Sequence, residues 1–88
     1  MATKGIETLE QVLKQNNGKS AAISTSHKLY GDQKIKCELN CMIDDERIGF
    51  RVKSGQELYM YKNEIESVRI NDRIVFEDDV MIVSIQIE

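Results

Sequence analysis

Apolar positions along the chain recur with two different periods. Near the N-terminus Ile6, Leu9 and Leu13 fall at helical spacing, and Val12 widens the stripe. Thr3 stands where an N-cap belongs. Glu7 and Glu10 occupy the early turns and Lys14 a late one, the polarity a helix dipole favours. Asn16-Asn17-Gly18 is a stop signal, because Asn and Gly tolerate the left-handed backbone that ends helices. The spacing predicts one helix over about residues 4–16 that packs by a single narrow face.

Beyond residue 20 the period becomes two. Ser20 to His27 reads as a weak strand whose small residues let another element approach, and Leu29 to Gln33 as a turn or loop. The clearest signal follows: Ile35, Cys37, Leu39, Cys41 and Ile43 alternate with Lys36, Glu38, Asn40 and Met42, as in a strand with one buried face. Asp44-Asp45-Glu46 turns the chain. Ile48, Phe50 and Val52 alternate on the return, Ser54-Gly55-Gln56 turns it again, and Leu58 to Tyr61 forms the next strand. The period slips near Asn63 to Ser67, which predicts a bulge or a short helical turn. Ile74 to Phe76 is a short strand and Glu77-Asp78-Asp79 a turn. Val80 to Ile87 begins as a continuous apolar run, the mark of a strand that is central or covered on both faces at one end.

This order predicts an α+β fold. One N-terminal helix precedes a five- to six-stranded antiparallel meander, with no later helix to make parallel crossovers. Curling into a small barrel would remove the exposed edges of so long a sheet. The element order and lengths resemble the small barrels of the SH3-like and Sm-like kind, with a helix on or beside the barrel. The resemblance implies a fold and carries no site residues. We expect one domain over residues 1–88, with the helix at about 4–16 and the β region at about 20–88.

Composition narrows the functional classes. A chain of 88 residues hides only roughly 60–65% of the surface its unfolded form exposes, so covering more surface with a partner is favourable. Isoleucine is abundant after residue 20, as suits strands. With Lys, Asn and Glu, it sets a bias expected of an accessory bacterial or phage-type protein. No apolar run approaches the ~20 residues that span a bilayer, and the first residues lack a signal-peptide core. Cys37 and Cys41 in one strand would stand about 13 Å apart, beyond the reach of a disulfide. A reduced, cytoplasmic setting is therefore expected. Net charge is −3, but residues 1–43 carry six Lys against four acids, whereas residues 44–88 carry six cations against eleven acids. An acidic total argues against general nucleic-acid binding.

No catalytic or cofactor motif stands out. The single histidine, His27, lies in a Ser-rich strand, and Cys37 and Cys41 share the expected core face, where thiols are inert. Those three residues fall short of a zinc set and lack its spacing. The acidic turns 44–46 and 77–79 would offer oxygen ligands to a divalent cation only if the fold gathered them on one rim. No cofactor or metal is therefore expected. The basic stretch 27–36 holds Lys28, Tyr30, Lys34 and Lys36, the ingredients of single-strand nucleic-acid binding and equally of a solvated strand edge.

Leu58-Tyr59-Met60-Tyr61 raises the remaining question, because strand geometry puts Leu58 and Met60 on one face and both tyrosines on the other. The rings either lie half-covered under the helix stripe or form a recognition surface, for which Tyr is well suited. The leading expectation is a non-enzymatic cytoplasmic binding or assembly module. It would contact a protein partner or a second copy through Tyr59 and Tyr61, without a membrane. The alternative is a nucleic-acid-binding barrel using Lys28, Tyr30, Lys34 and Lys36.

Overall fold

A computed structural model describes residues 5–51 and 57–88. It shows an α+β fold of one N-terminal helix and, among the described residues, eight antiparallel strands in two sheets. Helix α1 spans Ile6–Gln15. The strands are β1 (Ser20–His27), β2 (Gly31–Glu38), β3 (Cys41–Ile43), β4 (Arg47–Arg51), β5 (Glu57–Tyr61), β6 (Ser67–Ile70), β7 (Ile74–Glu77) and β8 (Met81–Ile87). A 3-10 helix, Lys62–Glu64, joins β5 to β6 where the period slips. The large sheet has the order β2-β1-β8-β7-β6 and the small sheet β3-β4-β5.

The helix begins after Gly5, whose φ of 99° places it in the left-handed region; Thr3 lies outside the described residues, as do Val52 and the expected turn Ser54-Gly55-Gln56. The helix stops at the predicted signal. Asn16 Nδ2 donates to the Val12 carbonyl at 2.8 Å, and Gly18 makes the left-handed turn at φ 89°. Ile6, Leu9 and Leu13 enter the core from one face. Gly5 lies against Val68 of β6, while the Leu13 carbonyl meets Cys41 Sγ of β3 at 3.8 Å. The helix therefore runs from the large sheet to the small one, and Glu10 pairs with Lys62 along the way.

The strand expected at 35–43 keeps its predicted phase but not its continuity. Its inward side chains pack on the core, with Leu39 fully buried. At Leu39–Asn40 the chain changes partner. Residues 31–38 pair with β1 and residues 41–43 with β4, and Asn40 accepts the Arg51 amide at 2.9 Å. A strand that bends to switch sheets makes a corner. This break accounts for one of the strands beyond the expected five or six, and no closed barrel is present among the described residues. The weak-looking β1 lies between β2 and β8, and β8 is likewise interior, between β1 and β7. Ala21, Ile23 and Thr25 of β1 face Ile87, Ile85 and Val83 of β8 across a buried row.

Cys37 and Cys41 are free and half-buried, less enclosed than the alternation implies, because the corner moves this strand to the margin of both sheets. Burial pushes the Cys41 thiol up to about 11. A Cys37→Ala protein should therefore react with a thiol reagent at Cys41 on the order of a hundredfold more slowly at pH 8 when folded than in denaturant, since only thiolate reacts. Stopped-flow labelling reads this directly. Leu13→Ala and Leu39→Ala should each lower stability by about 2–5 kcal/mol in chemical denaturation, the range for a buried Leu truncated to Ala.

Candidate functional site

The small sheet turns Ile43, Ile48 and Met60 inward as one cross-strand row and Cys41, Phe50 and Leu58 as the next. Alternation then places Met42, Gly49 and Tyr59 in a row on the outer face, with Arg47 opposite Tyr61 and Arg51 opposite Glu57. Both tyrosines thus stand on the face away from the core, as the sequence phase requires. Neither is covered by the helix, whose stripe faces the core. Tyr59 is 40% exposed and Tyr61 47%.

The two rings are held very differently. Tyr59 lies across Gly49: a Cβ there would stand 2.6 Å from the ring and 2.9 Å from the Leu58 carbonyl oxygen. The Arg47 guanidinium sits 4.7 Å from the ring centroid, a cation–π contact. The hydroxyl donates to Glu57 Oε2 at 2.7 Å, and Arg51 closes the group by bonding Glu57 Oε1 at 2.8 Å. The hydrogen bond from Tyr59, and then the one from Arg51, hold the Glu57 carboxyl below its usual range, while donation to Glu57 raises the Tyr59 hydroxyl. Tyr59 is thus a fixed part of the sheet surface. For the Tyr61 hydroxyl there is no hydrogen bond among the described residues.

Tyr61 opens onto a groove of about 490 Å³ lined also by Asp45, Glu46, Lys62, Asn63 and Glu64. The backbone brings these residues together, because the Lys62 amide donates to the Glu46 carbonyl at 2.8 Å. The adjoining turn is built by Asp44, whose Oδ1 accepts the amides of Glu46 and Arg47 at 2.8 and 2.7 Å. These two amides, more than the Arg47 side chain, hold the Asp44 carboxyl below its usual range. Asp78 repeats the device, accepting the amides of Val80 and Met81 at 2.9 and 2.8 Å. Side-chain closure of this kind is why Asp favours turns.

Glu64 stands between the two acidic turns, lining the groove with Asp45 and Glu46 and reaching toward Asp78 and Asp79. The carboxylates that come within ligand distance of one another, however, are Glu64, Asp78 and Asp79, without the 44–46 triplet. The Lys28 amide bonds the Val80 carbonyl at 2.9 Å, which adds the β1–β2 turn to the same rim. There Leu29 is 81% and Tyr30 78% exposed, beside the exposed Val80. Sequence reading missed Leu29 and Val80. Each looked like ordinary strand or loop bulk, and only strand register places them together.

The basic stretch resolves into a turn and an edge strand. Tyr30 stacks on His27 with ring centroids 4.6 Å apart, and Lys28 is exposed beside it. Lys34 and Lys36 are exposed on the outer face of β2, but Asp32 and Glu38 occupy the same face, and Lys36 pairs with Glu88 at 3.5 Å. His27 and Cys37 lie at opposite ends of the β1–β2 ladder, about 20 Å apart by strand rise. Cys41 belongs to the other sheet, so the three zinc and nucleophile candidates are not gathered.

Comparison with protein-family models, with curated proteins and with solved structures finds no match to this chain.

Gly49→Ala should destabilise the fold by about 1–3 kcal/mol, the usual effect of overpacking. Combining it with Tyr59→Ala should restore part of that loss in a double-mutant cycle of urea melts. Asp44 supplies a pH test. A carboxyl held low in the folded state stabilises fully above its unfolded pKa of about 4 and loses that contribution as pH falls further. The melting-temperature gap between wild type and Asp44→Asn should therefore narrow as pH is lowered from 7 to about 3.

Proposed function

We propose that this chain is a small non-enzymatic binding or assembly module. It acts through protein–protein contact, with a foreign protein or with a second copy, at the outer face of the small sheet. Tyr61 is the contacting ring and Tyr59 the rigid ground beside it. The observation that carries this reading is the contrast between the two rings: Tyr59 is tied down by Gly49, Arg47 and Glu57, whereas Tyr61 projects with its hydroxyl unbonded among the described residues. Exposed aromatic area beside a rigid surface suits recognition, because little freedom is lost on docking.

In the same reading the two sheets are halves of a small barrel of SH3-like or Sm-like order, bent apart at Leu39–Asn40. Pairing of the first strand with the last supports this view. The module works in the cytoplasm. Among the described residues no helix is long and apolar enough to cross a membrane.

Nucleic-acid binding through Lys28, Tyr30, Lys34 and Lys36 ranks second. The exposed Tyr30 favours it, but Asp32 and Glu38 on the lysine face oppose phosphate. We expect no appreciable binding to DNA or RNA at physiological salt; micromolar binding that weakens steeply with salt would reverse the ranking.

Melting curves of Tyr59→Ala and Tyr61→Ala across a range of concentrations test the main reading. Tyr61→Ala should stay within about 0.5 kcal/mol of wild type, as surface changes do, while Tyr59→Ala should lose about 1 kcal/mol or more with its cation–π contact and hydrogen bond. If a second copy is the partner, the wild-type melting temperature should rise with concentration and that of Tyr61→Ala should not. A loss in Tyr61→Ala as large as that of a core truncation would make the ring structural and remove the proposed surface.

A further inference from the structure

We infer that the rim beside Tyr61 docks a basic, amphipathic segment of a partner protein, with lysine or arginine in the acidic groove and apolar side chains on the neighbouring turns. This inference rests on reading Tyr61 as a contacting ring and adds the chemistry of the partner.

Four segments meet on this rim. The 44–46 turn touches the 3-10 helix through the bond from Lys62 to Glu46. The carboxylate of Glu64 in that helix approaches those of Asp78 and Asp79, and Val80 holds the β1–β2 turn. Of the exposed large apolar residues, Tyr61 lines the groove and Leu29, Tyr30 and Val80 stand on the turns joined to it, while Ile82 faces the outer side of the large sheet beside Lys34 and Tyr59 lies on the small-sheet face. Patches of this kind mark interaction sites on soluble proteins.

Charge selects the occupant. The groove's one cation among the described residues, Lys62, is engaged by Glu10, and Arg47 of the adjoining turn bonds Asp44 at 3.1 Å. Asp45, Glu46, Glu64 and Asp79 have no ion-pair partner among the described residues. Nucleic acid, an anionic membrane and the same rim of a second copy would each bring like charge against this surface. A cationic side chain instead meets carboxylates on two sides and the face of Tyr61, where a cation–π contact forms. The apolar turns beside it accept the uncharged face of the same segment.

A short fluorescein-labelled peptide of Leu and Lys is the probe, with its Leu and Glu counterpart as control. Anisotropy should show binding of the Lys peptide alone, weakening with salt. Amide shifts should gather at residues 28–30, 44–47, 61–64 and 78–80. Tyr61→Ala, which keeps every charge, and Glu46→Gln with Glu64→Gln, which keeps the ring, should each weaken binding about tenfold, as the loss of a central contact does. Lys19→Gln, an exposed change just before β1 at the end away from His27, should change nothing.

Equal binding of the Glu peptide, shifts gathered elsewhere, or a Tyr61→Ala protein that binds as tightly as wild type would overturn the inference. Sedimentation separates this from failure of the module reading. Self-association abolished by Tyr61→Ala would replace the basic partner with a second copy and leave the contact surface standing. A Tyr61→Ala protein unchanged in both measurements would remove both.

Discussion

Leu39 and Asn40 form the corner on which this architecture turns. The Leu39 side chain is fully buried, so the strand cannot leave the core at this point. Its backbone bonds back toward the β1 side, with the Leu39 amide donating to Lys19 at 2.8 Å and its carbonyl accepting from Gly18 at 2.7 Å. One residue later, Asn40 bonds Arg51 on the β4 side. A continuous flat ladder would have left the inner faces of these strands open to water. The bend lets two small sheets face one another and share one apolar interior, which a chain this short needs.

Helix α1 follows from that geometry. Two sheets joined at one corner leave a gap elsewhere, and the helix lies across it, between Val68 of β6 and Cys41 of β3. A narrow stripe is enough for this, since only one face meets the core. The helix therefore does not cover the tyrosines. Their face of the small sheet is free to carry the Arg47, Tyr59, Glu57 and Arg51 network and to present Tyr61 at its margin.

The same sheet register that builds the core gathers four chain reversals on one rim. Two of them close on an Asp side chain, so Asp44 and Asp78 are occupied by backbone amides. The remaining carboxylates and the apolar tips beside them give the rim its mixed character. Stability and surface chemistry are in this way parts of one arrangement: the residues that turn the chain also set the charge around Tyr61.

Local pattern alone determined the helix and its stop at Asn16 to Gly18, the inward phase of Ile35 to Ile43, the break after Tyr61 and the opposed faces of Leu58, Tyr59, Met60 and Tyr61. These follow from periods of 3.6 and 2 and from turn chemistry, all readable over a few residues. Tertiary structure alone decided which strand partners which. Period-two alternation states which side chains point inward but not where a strand changes sheet, so it predicts a meander curled into a small barrel and not the corner at Leu39–Asn40. The weak sequence of β1 is interior because its neighbours bury it, a matter of context that overrides propensity. The unequal roles of Tyr59 and Tyr61 depend on Gly49 lying opposite one ring and Arg47 opposite the other, and such pairing across strands is fixed only once the sheet has its register.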